Sequence, residues 1–389
     1  MPPITLHTFL IVTAILVVPY SLMLMNTSGD TLAVGEKNKG EYWWPLLLSV
    51  ALAIWIGTRP TNAIGMGYGD SVNYIHNYQL MAANNLSLTT VEFGSEWLWQ
   101  LIMIACIQCS LDVSSFFLIV AMGYVLTATW AMKKILPTRP YLGFLFLISS
   151  LMYYTFSVNG LRNGLACHMI LLAMAFFMDD RWSVAALIAF LAIGIHRSVL
   201  LPIVSALVAW KLIREPRHAI YFWLLCIVLS LFGGERFMDY FASLDYDDRM
   251  ATYTSGALSD HRDMFSATGF RWDFLAYSAV PIALTWLVNI MRKKRDGWFN
   301  IISVTYILCN AFWVLVIRAE YSNRFAYLSW FLYPVVISYP LCNMKAWRNQ
   351  NHVAGLTLLL YFLFTFIMDT LYWGGVINWY SHKWTQATE

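Results

Sequence analysis

The residues most able to do chemistry are ionisable groups that interrupt apolar runs. In AFLAIGIHRSVLLPIV (residues 189–204), His196 and Arg197 break an otherwise greasy stretch. An imidazole exchanges a proton near neutral pH, so His196 is a candidate general base, with Ser198 as a neighbouring hydrogen-bonding group. The plainer alternative is a capping or interfacial histidine. Arg197 can extend its stem to the membrane surface, which makes it an anchor. No GxSxG nucleophile elbow accompanies the pair, which argues against a serine hydrolase.

Arg162 heads a second run, YTFSVNGLRNGLACHMILLAMAFFM (154–178), where Asn159, Gly160, Asn163, Gly164 and Ala166 leave small or polar surface around it. A guanidinium fork in such a place suits a phosphate or carboxylate; otherwise it bonds a carbonyl or a lipid headgroup. IRAEYSNRFAYLSWFLYP (317–334) places Glu320 four residues before Arg324. That spacing makes an ordinary helical ion pair, or a carboxylate that orients Arg324 toward an anion. DDRMATY (247–253) adds Arg249 and Tyr253 as a further cation and ring. In GMGYGDSVNYIHNY (65–78), Asp70 follows three alternating glycines and precedes Tyr74 and Tyr78. The segment is neither a phosphate loop nor an EF-hand. A carboxylate among tyrosines suits a sugar, and a plain turn aspartate is the alternative.

The elements that carry these groups are membrane helices. Of 389 residues, 59% are hydrophobic and 12% charged, where soluble domains have roughly a quarter charged. Mean hydropathy is +0.57. Apolar runs of about the length that crosses a bilayer recur from end to end. They fall near 5–25, 43–58, 95–111, 114–132, 141–157, 161–178, 182–195, 198–213, 218–234, 273–291, 298–317, 325–341 and 353–372. The expected fold is all-α, a polytopic integral membrane protein with about 12–14 transmembrane helices in one domain over 1–389. The first run has no basic leader and no small-residue cleavage site, so it is expected to stay as a helix.

Two polar segments, 59–94 and 235–272, are too long for simple turns and rich in aromatics; they are expected to face substrate on the external side. Five basic clusters, at 133–139, 179–181, 211–217, 292–295 and 345–348, are expected on the cytoplasmic side. The turns near 158–162, 195–198 and 318–324 then lie opposite. The early chain conflicts with this pattern: if 95–111 and 114–132 form a simple hairpin, segment 59–94 starts on the cytoplasmic side. One early segment is therefore expected to be re-entrant or interfacial.

Net charge is only +3 and the cations lie in short clusters between spans instead of one large patch, so no nucleic acid partner is expected. Six cysteines lie in or beside apolar runs, and CIQC (106–109) lacks the second pair of a structural zinc site. Small buried fillers are the expectation. No motif calls for a metal or other cofactor.

GDSVNYIHNY, LRNGLA heading a span, FLAIGIHRSVLL and YSNRFAYL, in that order over roughly residues 60–330, resemble the EpsG-type branch of the Wzy polysaccharide polymerases. Asn163 stands where that family favours Gln, and Val199 where Ala is usual. The resemblance implies a GT-C-like, metal-independent glycosyltransferase of the bacterial inner membrane that works on the periplasmic face. It implies transfer of a growing glycan from undecaprenyl diphosphate to the non-reducing end of a lipid-linked repeat unit, as in O-antigen synthesis. Its implied partners are the undecaprenyl-diphosphate-linked oligosaccharide, membrane lipid and a chain-length-regulating co-polymerase. That chemistry needs cations for the leaving diphosphate, assigned to Arg162, Arg324 and Arg249 with Glu320 orienting. It needs a base, His196 or in second place Asp70, and groups that grip sugar, Asp70, Tyr74 and Tyr253.

Two rival classes share the membrane setting. A transporter or flippase of the same lipid would show internal repeat symmetry, and none is visible. A membrane-bound acyltransferase would use the histidine but leave the arginines little to do.

Overall fold

In a computed structural model, the described residues are 4–27, 43–61, 70–84, 86, 88–91, 96–243, 270–319 and 322–373, with the side chains of 234–243 and 371–373 excepted. All their regular structure is helical. In chain order the helices are α1 (Leu6–Asn26), α2 (Trp44–Gly57), α3 (Ser71–Ala83), α4 (Trp97–Gln108), α5 (Val113–Ile135), α6 (Pro140–Ile148), α7 (Tyr153–Val158) and α8 (Leu161–Met178). They continue as α9 (Trp182–Ile195), α10 (Leu200–Lys211), α11 (Pro216–Ser243), α12 (Trp272–Trp286), α13 (Gly297–Leu315), α14 (Asn323–Trp330), α15 (Tyr333–Cys342) and α16 (Gln350–Ile367). Eight segments are long and apolar enough to cross a membrane, and α2, α4 and α9 are shorter apolar helices. The protein is a polytopic membrane protein.

Helix starts follow from local chemistry. Thr5 and Thr8 form a reciprocal capping box on α1. Asp112 caps α5 by accepting from the Ser115 N–H at 2.9 Å, and hydrogen bonding from Ser115, its side chain first, holds the Asp112 carboxyl below the usual carboxylate range. Asp296 caps α13 through the Phe299 N–H at 2.8 Å. Such a cap at Thr5 or Asp296 is worth about 1 kcal/mol.

Two expected spans are broken. Segment 325–341 is two helices, α14 and α15, because Pro334 has no N–H to continue the ladder. Together they form the most enclosed of the eight candidate spans, buried at every residue from Phe325 to Cys342. Segment 141–157 splits into α6 and α7, and the break is bridged by side chains: Thr365 Oγ1 donates to the freed Ser149 O at 2.7 Å, and Tyr124 Oη donates to Tyr153 O, at the start of α7, at 3.1 Å. Within hydrocarbon an unpaired carbonyl would cost several kcal/mol, so these bonds allow the break.

A polar chain ties the centre together. Trp223 Nε1 donates to Asn310 Oδ1 at 2.8 Å, and Asn310 Nδ2 donates to Ser329 Oγ at 3.0 Å. Trp330 Nε1 reaches Ser278 Oγ at 2.8 Å, and Tyr306 Oη reaches Ser278 O at 2.9 Å. These bonds lock α11, α12, α13 and α14 together, where packing and hydrogen bonds rather than the hydrophobic effect hold membrane helices. Outward-facing apolar side chains such as Ile15 and Leu207 suit a lipid surround.

All five basic clusters meet at one end of the bundle. Lys134 pairs with Asp179, Arg295 contacts Glu215 at 3.4 Å, and Arg292 Nη1 donates to Ala346 O at 2.7 Å. Thr138 donates to Cys342 O at 2.7 Å, and Asn343 to Ile135 O at 2.7 Å. Arg162 lies at the other end of α8, whose 18 residues rise on the order of 27 Å. The polar ends of α3, α7, α9 and α14 gather there.

Candidate active site

At that second end, α3 is anchored through Arg59, which is 2% exposed just past α2. Its Nη1 donates to Ile56 O at 3.1 Å and its Nη2 to Ser71 Oγ at 3.1 Å, with the guanidinium 4.0 Å over the Phe117 ring. Ser71 donates onward to Val158 O at the end of α7. Farther along α3, Tyr78 donates to Leu111 O at 2.8 Å. Burial, aided by Cys106 and Asp112, pushes that phenol up to about 12, so its proton stays in place. Segment 59–94 is thus in part a docked helix rather than a plain loop.

These bonds resolve the early topology. Helix α4 begins beside Arg162 and His196 and ends at the Leu111 turn held by Tyr78, next to the start of α5. Both of its ends sit at the same end of the bundle. The expected span 95–111 therefore does not cross, and the crossing belongs to α5.

The centre of the site is a carboxylate. Glu96, one residue before α4, accepts from Arg162 Nη1 on one oxygen and pairs with His196 Nδ1 on the other. The three side chains are each less than one-fifth exposed. Arg162 also lies over Tyr74, with its Cζ 5.7 Å from the ring centre, and Tyr74 packs edge-on against Trp99. The Arg162 Nε is buried with no hydrogen-bond partner among the described residues. Gly164 and Gly194 permit the close approaches that set this geometry: a Cβ on Gly164 would meet Phe156 Cβ at 2.6 Å, and one on Gly194 would meet the Trp97 ring at 2.6 Å.

Opposite stands a second pair. Arg324 Nη2 lies 3.4 Å from Asp70 Oδ2, a loose contact beside the about 2.8 Å of a tight charged hydrogen bond. The Asp70 backbone N–H donates to Asn159 Oδ1 at 2.7 Å, so α7 and α8 position α3 as well. Asp70, Tyr74, Arg162, His196 and Arg324 line one cavity of about 260 Å³, with Asn159, Asn163 and Ser198 completing its polar wall.

A model of the EpsG family matches residues 43–383. The chain belongs to this family. No curated protein and no solved structure matches it. An EpsG-family chain is, in general terms, a polysaccharide polymerase of glycosyltransferase type.

Of the residues singled out by sequence, the fold brings five to this EpsG-family cavity. Arg249, Tyr253 and Glu320 lie outside the described residues, and Arg324 meets Asp70 across 254 positions of sequence. Arg197 is exposed and does not line the cavity. Glu96 is not among the residues singled out: it stands at the seam between the polar segment 59–94 and the apolar run of α4, where a carboxylate gives no signal of its own. Five cysteines are buried and Cys109 is exposed, so that one is no core filler.

The pairing dictates proton positions. A carboxylate only accepts, so His196 must carry a proton on Nδ1, and in the neutral ring that leaves Nε2 with a lone pair. Glu96 also stabilises the imidazolium once Nε2 is protonated. The two arginines are each pre-positioned by a carboxylate, and an arriving anion can share Arg324 at little cost because its contact with Asp70 is loose. A larger cavity of about 440 Å³, lined by α8, α9, α10 and α13, is almost wholly apolar and presents no ionisable or hydroxyl side chain.

Proposed function

We propose that this EpsG-family protein is a bacterial inner-membrane polymerase that extends O-antigen or a similar surface polysaccharide, as a Wzy-type enzyme of lipopolysaccharide or exopolysaccharide synthesis. The donor is a growing glycan on undecaprenyl diphosphate, and the acceptor is the non-reducing end of a lipid-linked repeat unit. The observation that carries the reading is the joining of Glu96–Arg162–His196 and Asp70–Arg324 in one cavity at a bundle end. The opposite end gathers the five basic clusters, and by the positive-inside rule this supports a periplasmic face for the cavity.

In this mechanism the acceptor hydroxyl gives its proton to His196 Nε2 as its oxygen bonds to the donor's anomeric carbon. The bond from that carbon to the diphosphate breaks, and the leaving oxygens collect charge that Arg162 and Arg324 neutralise without a metal. Fixed donors of this kind contribute about 10²–10³ in rate each. Asp70 and Tyr74 hold sugar hydroxyls and ring faces. A water-poor pocket at a membrane surface strengthens each of these interactions and limits loss of the activated glycan to hydrolysis. The carrier never has to leave the bilayer, and a chain-length-regulating co-polymerase docks outside this cavity.

The test is reconstitution with purified lipid-diphosphate repeat units. Wild type is expected to form a polymer ladder that chelators leave unchanged, and Arg162→Ala, His196→Ala and Arg324→Ala each lose it. Full activity in all three variants overturns the site assignment; transport of the lipid-linked unit without any ladder overturns the polymerase reading.

A further inference from the structure

The large apolar cavity has no part in the chemistry above, yet α8 and the α9–α10 hairpin that line it also carry Arg162, His196 and Ser198 of the site. It is a groove between α9 and α10, which pack on α8 and α13 respectively. Along α9 it runs from Trp182 to Ile193, and along α10 from Ile203 to Trp210. The eleven steps from Trp182 to Ile193 correspond to about 16 Å. Its lining carries no charged, amide or hydroxyl side chain.

The groove has two different ends. At the basic end, rings close it: Trp182 and Trp210 are 4.9 Å apart and edge-on, and Phe177 packs 5.6 Å from Trp298. At the other end, Ile193 and Ile203 lie just below the turn that joins α9 to α10. That turn carries His196 and Ser198 into the polar cavity. Phe190, in the groove, packs against Trp97, the residue next to Glu96. Phe190 and Leu207 are more than half exposed, so the groove opens sideways toward lipid.

We propose that this groove seats the first isoprene units of the polyprenyl carrier, with the carrier's diphosphate at Arg162 above the α9–α10 turn. The assignment rests on the polymerase reading. An anion-binding cavity stacked on a hydrocarbon groove fits a ligand with a phosphate head and one long apolar chain. In a bilayer the groove gains nothing from water exclusion, since the surrounding lipid is equally apolar. Its contribution is packing against fixed rings and placement of the diphosphate at the depth of the arginines, as a tether raises local concentration.

The experiment is photolabelling of the full chain in phosphatidylethanolamine–phosphatidylglycerol nanodiscs with a C55 polyprenyl monophosphate bearing a diazirine in its second isoprene unit. The label is expected on α9 and α10 between 186 and 207, competed by undecaprenyl monophosphate and not by added phosphatidylglycerol. Ala186→Trp, at an exposed position lining the groove, is expected to lower labelling about tenfold or more. Leu187→Trp, exposed and outside the groove, is the control and keeps it. Equal competition by phosphatidylglycerol identifies ordinary bilayer lipid and overturns the proposal. Labelling in the second apolar groove, at Val12, Leu48 and Leu52, also overturns it. Labelling needs no turnover, so a chain that labels here and makes no polymer keeps the groove and loses the polymerase reading. A chain that polymerises and labels elsewhere does the reverse.

Discussion

Glu96→Gln is the sharpest test of how the site works. The amide is nearly the same size as the carboxylate and keeps an oxygen for Arg162 Nη1, so the fold and the cation stay in place. Its other terminus becomes an N–H₂ facing His196 Nδ1, where the carboxylate now sits. That donor forces Nδ1 to accept and moves the imidazole proton to Nε2. His196 then presents an N–H to the acceptor hydroxyl and cannot act as base. A positioned base contributes about 10²–10⁴ in rate, and since Glu96 acts through His196, the loss cannot exceed that of His196→Ala. The expected fall in kcat is about 10²–10³, with KM changed less than about threefold, because the diphosphate contacts survive. The assay is initial ladder formation from purified lipid-linked repeat units by Glu96→Gln, His196→Ala and the double variant. The double variant is expected to match His196→Ala alone, as residues that work as a unit are not additive. Wild-type kcat in Glu96→Gln, or losses that multiply in the double variant, would refute the tautomer reasoning.

Asp70→Asn separates the two candidate bases. Its contact with Arg324 is about one-third exposed on both sides, so the stability cost is expected within about 1 kcal/mol by thermal melting in detergent. Its rate loss should be smaller than that of His196→Ala; the opposite order would make Asp70 the base. Gly164→Ala places a methyl 2.6 Å from Phe156 Cβ and 2.9 Å from its carbonyl oxygen. The α7–α8 approach must open, costing about 1–3 kcal/mol, read as a lowered Tm together with weaker ladder formation.

The way candidate residues became visible explains which ones were legible. Arg162, His196 and Arg324 stand out in the sequence because an ionisable group within or beside an apolar run is costly and therefore rare. Asp70 stood out through its setting of glycines and tyrosines. Glu96 did not, because it sits at the seam between a polar segment and an apolar run, where a carboxylate is unremarkable until its two partners, 66 and 100 residues away, come into view.

Composition by itself determined that the chain is a helical membrane protein, since so apolar a sequence can satisfy its backbone in lipid only through internal hydrogen bonds. The five basic clusters by themselves marked one face, and the structure joins them through ion pairs and hydrogen bonds at one end. Direction was beyond hydropathy, which reports how apolar a run is and not which way it points. Only the packing shows that α4 returns to the end it started from, that Pro334 and the Ser149 region break two expected spans, and that Asp70 faces Arg324. Those decisions rest on contacts between residues far apart in sequence, which no local period encodes.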